Sequence, residues 1–97
     1  MTKMMLLVYT GETPERIGEM LDRFPVEGYT EIEGVKGAGR TGRRMGTRAW
    51  PGKSTVFFTA VGDDVVPALT RAVHETTAAL PAGERLHLMV LPIEYAI

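Results

Sequence analysis

The chain contains no cysteine. This excludes disulfides, thiolate metal sites and cysteine nucleophiles. It has no apolar run near the ~18 residues that a membrane-crossing helix requires. Nor does its start, Met1 to Tyr9, carry the basic flank and small-residue cleavage site of a signal peptide. A soluble, cytoplasmic protein is expected. Aromatics are scarce: one Trp, three Tyr and three Phe among 97 residues. No Ser/His/Asp spacing, paired carboxylates or Walker lysine stands out, so no enzymatic activity is expected. The most local absence is of acidic residues between Lys36 and Lys53, where six basic residues and five glycines occur instead.

That stretch, residues 36–53, cannot supply a core, and its glycines disfavour a regular helix. It offers backbone N–H groups and guanidinium forks, the donors that bind anions. The net charge of −1 conceals the asymmetry. Outside the stretch, five basic residues face twelve acidic ones, or −7. Any anion preference therefore belongs to the loop and not to the whole surface.

Patterned segments flank the loop. Met4 to Tyr9 is a nearly continuous apolar run, consistent with a strand buried on both faces. Thr13 and Pro14 are suited to open a helix, with the threonine as cap. Ile17, Met20, Leu21 and Phe24 then form one apolar stripe. Pro25 and Gly28 end that helix, and a half-exposed strand runs from Tyr29 to Val35. Ser54 to Val61 reads as a central strand. Asp63 and Asp64 offer caps for a second helix, whose stripe is Val66, Leu69, Val73, Thr76 and Leu80. Leu86 to Ile93 is the last strand.

The order βαββαβ predicts one α+β domain over residues 1–97, a ferredoxin-like antiparallel four-stranded sheet with two helices on one face. The first, third and fourth strands are apolar on both sides. The face without helices therefore has to be covered, and a homo-oligomer is the economical cover.

Three stretches together resemble the PII nitrogen-signalling proteins. Val35-Lys36-Gly37-Ala38-Gly39-Arg40 is similar to the start of their T-loop. Val61-Gly62-Asp63-Asp64-Val65-Val66-Pro67-Ala68-Leu69 is similar to their entry into the second helix, and Met89 to Ile97 to their closing segment. The resemblance implies a homotrimer binding an adenine nucleotide (ATP, ADP or AMP) in intersubunit clefts, with Gly37, Gly39 and Arg40 contributing. Thr41 stands where the family has the glutamine that helps hold Mg²⁺ and 2-oxoglutarate. Gly83, Arg85 and His87 lie where the family has a phosphate-binding turn, and Glu84 there opposes a phosphate. The T-loop is short and lacks tyrosine, so it has no acceptor for nucleotidylation. The family's basic C-terminal segment does not appear before Ile97. Arg43, Arg44, Arg48 and Trp50 are the candidates for contact with a target protein, an enzyme or a membrane transporter.

The expected function is thus a divergent PII-like regulator. The alternative is a metal-tolerance or transporter-associated protein like the similar CutA family, independent of nucleotide. His74 and His87 read better as packed or surface residues than as metal ligands. RNA binding ranks below both, because the exposed stacking aromatics of RNA-recognition modules are missing and the acidic remainder would repel a long polyanion, so no nucleic-acid partner is expected.

Overall fold

The computed structural model describes residues 2–39, 42–44 and 53–97. Strand β1 (Thr2–Thr10) is followed by helix α1 (Glu15–Asp22), then β2 (Thr30–Val35). Two short strands, β3 (Gly37–Gly39) and β4 (Gly42–Arg44), come next. The chain closes with β5 (Ser54–Gly62), α2 (Val66–Ala79) and β6 (Arg85–Pro92). The four long strands form one antiparallel sheet in the order β2-β5-β1-β6, the ferredoxin-like arrangement expected from the sequence.

Alternation divides each strand between two faces. Met5, Leu7 and Tyr9 of β1 meet Thr59, Phe57 and Thr55 of β5, and Tyr9 meets Leu86 of β6. On this face α1 contributes Ile17, Met20 and Leu21, and α2 contributes Leu69 and Val73. All of these side chains are buried. The helical stripes are therefore those read from the sequence, with Phe24, Val66 and Leu80 packed at the margin. Between the helices, the Thr76 hydroxyl donates to the Met20 sulfur at 3.3 Å.

The expected caps are not used. α1 begins after Pro14 without a side-chain cap, and the Thr13 N–H donates to the Tyr9 hydroxyl at 2.9 Å. α2 begins after Val65, also without one. There the backbone closes the entry through Val65 N–H to Gly62 O (3.0 Å) and Val66 N–H to Asp63 O (3.3 Å). The Asp63 carboxylate faces Lys3 at 3.9 Å instead.

The opposite face carries Met4, Leu6 and Val8 of β1 beside Val56, Phe58 and Ala60 of β5. Met89 and Leu91 of β6 and Ile32 of β2 extend the same surface. Among the described residues no helix covers it, and Ile32, Met89 and Leu91 are 45–46% exposed.

The basic stretch is not wholly irregular. β3 and β4 pair antiparallel, with Gly37 opposite Arg44 and Gly39 opposite Gly42. Immediately before it, the β2–β5 register shifts between Ile32 and Val35. Gly34 sits there at φ +67°, a backbone conformation glycine adopts without penalty, and the resulting bulge turns the chain out of the sheet.

Candidate functional site

One row of paired residues marks the end of the sheet from which the basic stretch emerges. Val35 pairs with Ser54, Ser54 with Thr10, and Thr10 with Arg85. Three strand spacings separate Val35 from Arg85, roughly 14 Å. Just past this row lie Lys36 and Gly37 after β2, Lys53 before β5, Gly11 after β1 and Glu84 before β6. The fold thus gathers the root of the basic stretch and the turn before β6 at one end.

Across that end runs a hydrogen-bonded clasp. The Tyr9 hydroxyl donates to Glu84 Oε1 at 2.7 Å. The Glu12 N–H reaches Glu84 Oε2 at 3.4 Å. The Gly11 N–H donates to the Lys53 carbonyl at 2.9 Å, tying the β1–α1 turn to the exit of the basic stretch. A Cβ on Gly11 would collide with the Tyr9 hydroxyl and lie 2.6 Å from the Glu84 carboxyl carbon, so a side chain there would displace the clasp. Burial, reinforced by the Glu84 hydrogen bond, raises the Tyr9 pKa above 10.0. At neutral pH the phenol therefore keeps the proton that it donates.

The two sides of this end differ in charge. On the helix side, a cavity of about 460 Å³ is lined by Gly11, Glu12, Glu15, Glu33, Lys53 and Thr55, among others. Glu31 stands two residues before Glu33 on β2. Its pKa is raised above 4.5, first by burial, then by a hydrogen bond with Glu33 and by the charges of Glu33 and Glu15. An anion gains nothing there. On the open side, Arg85 follows Gly83, which holds φ +88°. Arg85 alternates onto the same face as Thr10 and Ser54, whose hydroxyls are buried and 3.0 Å apart.

Of the expected ligand residues, Gly37 and Gly39 lie in β3, while Gly83, Arg85 and His87 lie together across the sheet. His87 is exposed and pairs with Val8. Arg40 and Thr41 lie outside the described residues, as do Arg48 and Trp50 among the expected partner contacts. Arg43 and Arg44 are placed by backbone only, in β4. Reading the sequence did not single out Tyr9, Gly11 or the use of Glu84. The available signal was an aromatic residue with a hydroxyl at the end of an apolar strand, followed two residues later by glycine. Among the described residues, no group of three or more His, Asp or Glu side chains is arranged to hold a metal ion. No helix among them is long and apolar enough to cross a membrane.

No protein-family model and no curated protein matches the sequence. Solved structures do match. CPII, a nitrogen regulatory PII-like protein from Thiomonas intermedia K12 bound to ADP, AMP and bicarbonate, is 22% identical, with a TM-score of 0.67 over 93% of this chain and 87% of that one. A DUF3240 family protein from Shewanella baltica OS155 is 16% identical, with a TM-score of 0.75 over 98% of this chain and 92% of that one. A protein from Thermus thermophilus, proposed as a PII-like signalling protein, is 19% identical, with a TM-score of 0.65 over 92% and 83%. The chain therefore has a divergent PII-like fold.

Proposed function

We propose that this protein is a PII-like regulator. It binds an adenine nucleotide in clefts between the subunits of a homotrimer, and acts on a partner through its basic stretch. One observation carries the reading: CPII, with the same fold over most of both chains, is bound to ADP and AMP. The sheet end agrees with it, because the glycine- and arginine-rich segment and the Gly83–Arg85 turn emerge there, each offering anion donors. The uncovered apolar face supports self-association. In this reading the protein is cytoplasmic and not an enzyme. Its target is an enzyme or a transporter, engaged by Arg43, Arg44, Arg48 and Trp50.

Calorimetric titration with ATP, ADP, AMP and cyclic AMP, with and without Mg²⁺ and bicarbonate, tests the proposal. Saturable binding is expected, and Arg40→Ala is expected to weaken it about tenfold or more, as loss of a charge-assisted hydrogen bond does. The variant should melt like the parent. Absence of binding at millimolar nucleotide would overturn the reading.

A further inference from the structure

Strand β6 lies at one edge of the sheet and, among the described residues, pairs on one side only, with β1. The Ile93 N–H donates to the Thr2 carbonyl at 3.4 Å, one step past the last pair of that ladder. Backbone groups alternate in direction along a strand, so those of Arg85, His87, Met89 and Leu91 also point to β1. Those of Leu86, Leu88 and Val90 point outward, where no described strand meets them. Pro92 takes the next outward position and has no N–H to offer, which closes the edge there. The open edge thus spans five residues, Leu86 to Val90, or roughly 16 Å. Such an edge is a template for a further strand.

Beside it lies a groove. Leu86, Leu88 and Val90, with Thr70, His74 and Thr77 of α2, line a cavity of about 420 Å³. Val90 is 41% exposed there. No acidic residue among those described lines it. On its other face, β6 carries Arg85 and His87, by alternation.

The chain contains a segment of matching length and character. In residues 93–97, Ile93, Tyr95 and Ile97 stand at alternate positions, as on one side of a strand. Tyr95 and Ile97 are exposed, and neither packs against the core. Laid along β6, the segment turns these three side chains into the groove. Glu94 then falls on the face of Arg85 and His87, with charge opposite to that of the arginine. The segment does not reach the groove of its own copy. With Ile93 bonded to β1, a two-residue turn at Glu94-Tyr95 would bring Ile97 back only to Pro92.

We propose that residues 93–97 of one copy add as a strand to the free edge of β6 in a second copy, with Tyr95 in the groove between β6 and α2. Main-chain hydrogen bonds hold the segment, and the groove selects its alternate side chains. Each copy offers one segment and one groove, so the contact is heterologous, the kind that builds a closed ring. The inference rests on the self-association proposed above and adds to it a surface and its occupant.

Disulfide trapping tests it, because the chain has no cysteine of its own. His74→Cys, in the middle of the groove, and Tyr95→Cys are made in separate chains, mixed and oxidised. Their mixed disulfide is expected to form about tenfold faster, or more, than that of Tyr95→Cys with Glu19→Cys, an exposed control on α1, since docking raises the local thiol concentration. Adding Val90→Pro to the His74→Cys chain removes an outward N–H and leaves the β1 ladder whole. It should bring the rate down to the control, whereas Val90→Ala, which keeps the N–H, should lower it less. Equal rates for His74→Cys and Glu19→Cys overturn the proposal, whether or not the proline variant folds. Fast trapping that persists in a folded Val90→Pro chain overturns it as well. Light scattering of the parent separates the two levels. An oligomer without the selective disulfide leaves self-association standing, and a protomer mass at every concentration removes both.

Discussion

The two faces of one sheet are built from the same strands and meet opposite fates. On β1, Leu7 is fully buried beneath α1 and α2, while its neighbour Leu6 looks out from a face that no helix among the described residues covers. Across β6, Leu86 is buried, but Leu91 is 45% exposed. Composition does not separate the faces, since methionine, leucine, valine and phenylalanine occur on both. What separates them is the pair of helices, whose apolar stripes suffice for one face only. A 97-residue chain buries a modest fraction of its surface alone, and the second face leaves apolar area that a second copy could cover.

The comparison breaks first at Leu7. Leu7→Ala leaves a cavity inside the closed core and is expected to cost about 2–5 kcal/mol in urea unfolding. Leu6→Ala removes the same atoms from the open face. In dilute protein it should cost clearly less, and its cost should rise with protein concentration if a second copy covers that face. Equal, concentration-independent losses at the two positions would show that the open face is not an interface. A smaller perturbation sharpens the point. Leu91→Glu places a charge on the open surface, opposite Met4, and should weaken self-association on the order of a hundredfold. If the protein is the proposed homotrimer, light scattering should then shift from three times the 10.6 kDa protomer mass towards the protomer, with the circular dichroism spectrum unchanged. An unaltered mass would place the contact between copies elsewhere.

The closed face was largely legible in the sequence, and its terminal details were not. Ile17, Met20 and Leu21, and Leu69 and Val73, recur at helical spacing because only that spacing puts them on one stripe. The runs at Met4–Tyr9 and Ser54–Val61 declared strands by their apolar and β-branched content. The caps were misread because Thr13, Asp63 and Asp64 are good caps in isolation. In the fold neither helix entry carries a side-chain cap, and backbone N–H groups bond to backbone carbonyls there, Ile17 to Pro14 in α1 and Val65 to Gly62 and Val66 to Asp63 in α2. The candidate site was legible only at its two flanks. Gly37, Gly39 and Arg85 stand in recognisable local patterns, whereas the clasp joins Tyr9 to Glu84 across 75 positions, a separation no local pattern records. The β3–β4 ribbon escaped for a related reason: its residues carry no alternation of apolar side chains to announce a strand.

The helix-covered face is also imperfectly closed at the edge strand β2. Glu31 pairs with Phe57 and so belongs to the core side of the sheet. Burial, the hydrogen bond with Glu33 and the nearby charges of Glu33 and Glu15 all favour its protonated form, and its pKa lies above 4.5. The folded state thus holds this proton more tightly than the unfolded state does. Well below the ordinary carboxylate value both states are protonated, and Glu31 costs nothing. As pH rises through the raised folded value, ionisation in the fold becomes the less favourable one, and stability is lost. Glu31→Gln cannot ionise and should be the more stable protein at neutral pH, by a small margin because the side chain is largely exposed. The gain should disappear towards pH ~3, where Glu31 is protonated in both states. Urea midpoints of the two proteins at both pH values measure that difference directly, and other carboxylates cancel between them. A gain of equal size at both pH values would mean that packing, and not the proton, separates the variant from its parent.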